Sequence, residues 1–489
     1  MKQNPMRKTP LTHLLSLGAV AVLAGCSMAP TYERPAAPIA TDWPGLRLST
    51  ALASAPAASP AVQRVAAADI EWQSFFSDPK LRLLIDASLR NNRDLRIAVL
   101  NIEQARAQFQ IRRADQFPTV GASATGTRQP GAAGNGSISS VYTAGLAMTS
   151  YEIDFFGRVA SLKDAALAQY LATEEGRKTT QISLIAAVAN TYLSLLADEE
   201  LLAITEQTLA TREESFKLSQ LRFDNGITSE LDLRQAQSLA EAARISRAQL
   251  QRQRALDENL LTLLVGQPLG GELAAALPRG QALADAPLMV DVPAGLPSDL
   301  LTHRPDIRQA EQQLLSANAN IGAARAAFFP RISLTASAGS VSTSLSGLFE
   351  SGSYGWTLAP QLFLPLFDAG RNRAGLDSAN VNRDITVAQY EKAIQTAFRE
   401  VADALAGRAT LGEQLRAQQA QADAEGVRFK LSDLRYQNGI ASQLDLLDAQ
   451  RSLFAARQAV VQTRLLQLQN QVTLYKTLGG GWTEPVSSP

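Results

Sequence analysis

The chain contains a single cysteine, Cys26, so no internal disulfide can form. Leu23-Ala24-Gly25 precede it, and small residues before a cysteine resemble the bacterial lipobox, in which that cysteine becomes the lipidated N-terminus. A second group with chemical potential is the acid pair Asp445 and Asp448, three residues apart and therefore on one helix face. Where several copies converge, such carboxylates form rings that favour cations and oppose anions. Other candidates fail. The two histidines, His13 and His303, cannot form a histidine metal cluster or a proton relay. Gly479-Gly480-Gly481 lacks the lysine and helix of a phosphate loop. Glu152 and Asp154 are too close in sequence to mark glycosidase chemistry and belong at a strand end. The expectation is a protein that is not an enzyme and has no cofactor beyond a covalent lipid on Cys26.

The N-terminal residues fit an export signal. Lys2, Arg7 and Lys8 precede an apolar run, Leu11 to Leu23, too short for a membrane helix. Ser27 stands where an aspartate would favour the inner membrane, so the expected site is the outer membrane. Removing the signal leaves a chain about three units acidic with no basic block, which argues against nucleic acid. No other apolar stretch is long and clean enough for a membrane helix; Ile182 to Ala197 comes nearest, but Asn190, Thr191, Tyr192 and Ser194 interrupt it, as in a buried helix.

The acids must be positioned by a helix turn. Asn225-Gly226 and Asn438-Gly439 supply left-handed residues that end a helix. Ser229 and Ser442 then act as N-caps, with Asp232 and Asp445 three residues on, completing capping boxes. Asp445 is thereby explained, whereas Asp448, whose counterpart is Gln235, points to a role beyond folding. The helices entering these turns run from about Gly157 to Asp224 and Gly370 to Gln437, each roughly 100 Å long if unbroken. Val188, Leu195, Leu202, Leu209, Phe216 and Phe223 recur at seven-residue steps, a coiled-coil spacing; Val401, Leu415, Ala422, Phe429 and Tyr436 keep it, with Arg408 interrupting.

Before each long helix the period changes to two. A helix from about Pro79 to Gln116, or Pro305 to Phe328, is broken by Phe117-Pro118 or Phe329-Pro330. Ile332, Leu334, Ala336 and Ala338 then alternate with Arg331, Ser333, Thr335 and Ser337, while Trp356, Leu358, Leu362, Leu364 and Leu366 share a face. Apolar on one face and small-polar on the other, with aromatics near the ends, such segments predict membrane β-strands. Four strands cannot close a hollow barrel, and three chains would supply twelve.

The halves are repeats. Phe216 to Gln237 and Phe429 to Gln450 are identical at roughly fifteen of twenty-two positions, at an offset of about 213 residues. The predicted segments are a signal peptide (1–25), a lipid-anchored extended segment (26–68), a first helical segment (69–116), hairpin (117–156) and long helix pair (157–266), an equatorial connector (267–300), a second helical segment (301–328), hairpin (329–368) and helix pair (369–478), and a tail (479–489).

The repeat, the lipobox and the turns resemble the outer-membrane factor family of TolC, and particularly its OprM-like efflux lipoprotein branch. Tyr151 to Arg158, Leu296 to Leu301, Arg304 to Ile307, Ile321 to Pro330, Ala388 to Ala402 and Leu447 to Leu453 carry the likeness across nearly the whole mature chain. The resemblance implies an α+β membrane protein: a homotrimer with a twelve-stranded β-barrel, four strands per chain, continued by a long α-helical barrel. It implies outer-membrane lipid around the barrel, docking to a periplasmic adaptor (membrane fusion) protein, and an inner-membrane resistance-nodulation-division pump. The duct would extend into the periplasm and serve multidrug efflux; the same fold also serves protein secretion. Tyr436, Asp445 and Asp448 align with residues that constrict the closed channel at its periplasmic tip. Ala441 stands where TolC has a gating arginine, so a gate here must use other contacts.

Overall fold

The computed structural model describes residues 27–40, 42–43, 67–130, 138–286, 289–293 and 297–482. Cys26, the signal segment and most of 44–68 therefore lie outside the described residues.

The first elements are short: a helical turn at Trp72–Phe75, then α1 (Pro79–Asn91) and α2 (Arg93–Ala114). The single helix expected from Pro79 to Gln116 is thus two. Asn92 is extended, and its side chain accepts a hydrogen bond from Leu95 N (3.0 Å), capping the new helix, while Nδ2 donates to Leu264 O (2.9 Å). An asparagine whose side chain replaces backbone bonds at a helix start favours such a break.

Strands β1 (Val120–Pro130) and β2 (Ile138–Ile153) follow, then α3 (Arg158–Asp224) and α4 (Glu230–Val265). After a connector the order recurs: α5 (Pro305–Ala326), β3 (Arg331–Ser342), β4 (Tyr354–Phe363), α6 (Arg371–Gln437) and α7 (Gln443–Thr477). Helices α3 and α6 are each unbroken over 67 residues.

The four strands form one antiparallel sheet in the order β1-β2-β3-β4, so among the described residues the outer edges of β1 and β4 carry no strand partner. Register sorts the faces as the alternation predicts. Val120, Met148, Ala336 and Leu358 form one cross-strand row, and Ala122, Leu146, Ala338 and Trp356 the next. The opposite face carries rows such as Ala147, Ser337 and Thr357. Trp356 and Leu358 are exposed. A bulge between Met148 and Tyr151, with Ser150 at φ 52°, restores the facing after the shift. Gly145 and Gly339 lie so close across β2 and β3 that a Cβ on Gly145 would meet Ala338 O at 2.4 Å. Strand β4 ends at Phe363, so Leu364 and Leu366, expected on its face, lie beyond it; Pro365, which has no N–H to offer a ladder, follows directly.

At the strand-to-helix junction Glu152 receives both Arg158 (2.8 and 2.6 Å) and Arg331 (2.7 Å), while Asp154 accepts from the N–H groups of Arg158 and Ala160 (both 2.7 Å). The two acids are structural, as their position suggested.

The chain divides into two compact units. One contains the sheet and is built from Asn101–Glu174 and Gln309–Glu391 with the N-terminal stretch; the other comprises Ala37–Leu100, Glu175–Arg308 and Lys392–Pro489. In the first, residues 27–36 lie extended along α5: Arg34 holds Glu311 through two bonds of 2.7 Å, Tyr32 donates to Glu311 (3.0 Å), and Asn318 donates to Pro30 O (2.8 Å). In the second, Phe75 stacks on Tyr475 at 3.9 Å, and Tyr192 donates to Asp78 (2.8 Å). Ile185, Val188, Ala189, Leu195 and Leu196 are buried there, as expected of the interrupted apolar stretch. Helix α3 is long and apolar enough to cross a membrane by composition, yet 67% of the relevant stretch is buried.

Candidate functional site at the helix turns

Both turns are built from the same local chemistry. Gly226 (φ 71°) and Gly439 (φ 72°) take the left-handed conformation, which costs glycine nothing sterically. Gly226 N bonds Phe223 O (2.8 Å) and Ile227 N bonds Arg222 O (2.8 Å); Gly439 N bonds Tyr436 O (3.0 Å) and Ile440 N bonds Arg435 O (2.8 Å). These are paired Schellman closures. The asparagines contribute their side chains, Asn225 to Leu221 O and Asn438 to Leu434 O, both at 2.7 Å.

The next helices begin with the predicted capping boxes. Asp232 N bonds Ser229 Oγ (3.2 Å) and Ser229 N bonds Asp232 (3.3 Å); Asp445 N bonds Ser442 Oγ (3.2 Å) and Ser442 N bonds Asp445 (3.1 Å). The hydroxyls of Ser229 and then Thr228 hold the Asp232 carboxyl below the usual range, and Ser442 does the same for Asp445.

Asp448 differs from its expectation. The sequence offered no structural partner, but the structure gives it two: Arg428 on α6 at 2.5 Å and Arg451 one turn along α7. Arg428 is the larger cause of its lowered pKa, after which Arg451 contributes. The equivalents of Arg428, Asp448 and Arg451 in the first half are Ser215, Gln235 and Ser238, so the second half gained a charged triad rather than a lone acid. Residue-by-residue comparison of the two halves is the signal that reveals it.

Tyr436 is tied to the other turn. Arg222, at the end of α3, donates to its hydroxyl at 2.6 Å and lies 5.2 Å from the ring centre. The counterpart of Tyr436 is Phe223, which has no hydroxyl. Gln443, where the first half has Glu230, donates to Ser219 Oγ (2.7 Å). These bonds join α3 to both α6 and α7 beside the turns, and spacing within a single helix does not disclose them.

The surroundings are a groove between α3, α6 and α7, lined among others by Leu218, Arg222, Phe429, Tyr436, Leu447 and Gln450, with a volume of about 320 Å³. Its wall is mixed polar and apolar. Among the described residues no group of three or more metal-binding side chains is present.

A long-helix pair fed from an antiparallel strand hairpin, occurring twice, defines the class of outer-membrane channel proteins. Solved structures agree. A membrane protein from Pseudomonas aeruginosa matches with a TM-score of 0.84 at 45% identity, covering 94% of this chain and 99% of that one. The open state of the Neisseria gonorrhoeae MtrE outer membrane channel matches with a TM-score of 0.82 at 39% identity, covering 95% and 100%. In sequence, the probable efflux pump outer membrane protein TtgC of Pseudomonas putida strain KT2440 is 49% identical over 478 residues, 96% of each chain. The family model described as outer membrane efflux protein matches twice, at residues 84–267 and 296–480. The chain belongs to the outer membrane efflux protein family, in its OprM-like branch, and is an outer-membrane channel of multidrug efflux.

Proposed function

We propose that the chain is the passive exit duct of a tripartite multidrug efflux system, working as a homotrimer and performing no chemistry. The observation that carries this reading is the sheet: four strands with one apolar face and two edges lacking a strand partner. Unpaired edges are not tolerated in lipid, so the sheet must be completed by other copies. Three copies give twelve strands, enough to leave a channel. The four long helices of each copy would then line a helical barrel in the same way, making the two halves of each chain equivalent segments of one wall.

The turns supply the gate. Tyr436, Asp445 and Asp448 constrict the duct at its periplasmic tip, and the Arg222–Tyr436 bond, with Gln443 on Ser219, holds the turns together in the closed state. This takes the place of a link through position 441, where an alanine stands. Opening follows when a periplasmic adaptor, joined to a resistance-nodulation-division pump, draws the turns apart. Cys26 carries the lipid that anchors the chain to the outer membrane, and mass spectrometry of the mature N-terminus tests it: an acylated cysteine is expected, and a free thiol contradicts it.

The experiment for the duct is planar-bilayer recording of purified protein, wild type against Arg222→Ala and Tyr436→Phe. Larger conductance in both variants supports a gate at this bond. Wild-type conductance in both places the gate elsewhere.

A further inference from the structure

The two halves differ in one more place, where α3 and α4 pack beside the connector. Asp198, Glu199 and Glu200 stand in succession on α3. Glu199 accepts the N–H of Gly280 (3.1 Å) and Glu200 that of Ala284 (3.3 Å), so two of the three acids hold the connector. Glu199 also receives Arg254 of α4 (2.7 Å), which reaches Glu258 on its own helix (3.3 Å).

Asp198 is placed differently. It is 6% exposed, and its carboxyl lies within hydrogen-bonding reach of that of Asp257 on α4. Two ionised carboxylates offer each other only acceptors. Among the described residues Asp198 Oδ2 finds no hydrogen-bond partner, while Asp257 accepts from the Gln253 amide (3.3 Å). The nearby cation, Arg254, is shared between Glu199 and Glu258. The elements packed beside the pair bring Arg279 and Asp285 on the connector and Lys80 on α1, the last bonded to Gln281 (3.2 Å). A buried acid opposite a second acid is comfortable only while one proton is held between them. Burial first, and then Asp257, raise the Asp198 pKa.

The second half has the same helices without the acids. At the matching positions Asp198 becomes Leu411, Asp257 becomes Asn470, Arg254 becomes Gln467 and Glu258 becomes Gln471. Asn470 on α7 donates to Ala404 O of α6 (2.9 Å), a bond between two groups that do not titrate. Packing of a helix pair at this level therefore does not require acids. In the first half the same contact carries two opposed carboxyls, which makes it depend on a proton.

We propose that Asp198 and Asp257 form a proton-operated clasp between α3 and α4, closed in mildly acid surroundings, when the pair shares one proton, and loosened at alkaline pH, when both acids are ionised. Loosening acts on the α3 segment that holds the connector, because Arg254, three residues before Asp257, bonds the same Glu199 that receives Gly280. The first-half helix pair is then the one that responds to pH. The clasp lies within one chain and does not depend on the duct reading.

Hydrogen exchange read by mass spectrometry on the full-length protein tests it. Exchange is measured at about pH 5.5 and about pH 8.5, on either side of the titration, and corrected for the intrinsic rate of free peptides. The second half is the internal control: residues 195–201 and 254–260 are compared with residues 408–414 and 467–473 of the same sample. The clasp predicts that corrected exchange in the first pair of segments quickens by about tenfold or more at the higher pH, a change that one unit of pKa displacement suffices to give. The second pair should not change. Asp198→Asn and, separately, Asp257→Asn keep the shape and supply a permanent donor, so each should hold the first pair of segments at its acid-state protection at both pH values. Equal responses of the two halves in the wild type would overturn the proposal. So would an asparagine variant that keeps the wild-type pH dependence. If neither variant folds, the comparison of halves within the wild type decides alone.

Discussion

The two helix turns share a backbone and diverge in side chains. Glycine conformation, Schellman closure and capping box agree to within a few tenths of an ångström in hydrogen-bond length. Around this common frame the first turn keeps Phe223, Gln235 and Glu230, while the second has Tyr436, Asp448 and Gln443. The frame is what the chain needs in order to reverse direction. The substitutions are where the second turn acquires bonds to its neighbours: Arg222 to Tyr436, Arg428 to Asp448, Gln443 to Ser219. The shared frame and the added contacts are thus separable at the level of single positions.

The largest predicted difference between the halves is in packing. Leu447 is 4% exposed, whereas its counterpart Arg234 is exposed and bonds Glu230 on its own helix. Leu447→Ala should cost about 2–5 kcal/mol of stability, as for buried leucines generally. Arg234→Ala should cost about 0–1 kcal/mol. Equal shifts in thermal midpoint would break the distinction.

Next comes the bond between turns. Tyr436→Phe removes the half-buried hydrogen bond from Arg222 and should cost about 0.5–1.5 kcal/mol in chemical denaturation. Ser229→Ala and Ser442→Ala should each cost about 1 kcal/mol, the usual value for losing an N-cap. Because the capping boxes match, the two costs should be equal; a marked inequality would show that the frames are not equivalent.

The smallest effect belongs to Asp448. Its partners are solvent-facing, and exposed pairs are worth about 0.2–1 kcal/mol. Its folded pKa is lowered, chiefly by Arg428. The contribution is therefore complete above the unfolded carboxylate value of about 3.9 and is lost as pH falls through the lower folded value. Asp448→Ala should lower stability slightly at neutrality, flatten its dependence on pH in that acidic window, and match the wild type below it. Asp198 behaves oppositely: burial and the neighbouring Asp257 push it up to about 7. A raised acid favours folding below the unfolded value and loses that contribution as pH rises through about 7, so Asp198→Asn should remove a fall in stability between acidic and neutral pH.

Much of this was legible in the sequence because it is local. The Asn-Gly turns, the capping boxes and the Phe-Pro helix ends each lie within a few residues, and period-two alternation fixed the two faces of the sheet. The long helices followed from apolar residues recurring at seven-residue steps. What escaped depends on partners far along the chain. Arg428 reaches Asp448 across 20 positions and Arg222 reaches Tyr436 across 214. The break at Asn92 escaped because an asparagine within a helical pattern reads as continuous until its side chain is seen capping Leu95. Leu364 and Leu366 were placed in a strand because period two cannot detect where pairing stops.

The central claim is that a chain with four strands and unpaired sheet edges works only as a closed assembly of several copies. Native mass spectrometry of the purified protein, with bilayer recording of the same sample, tests it most directly. The account predicts a trimer that conducts and a monomer fraction that does not. A stable monomer that conducts by itself would contradict it.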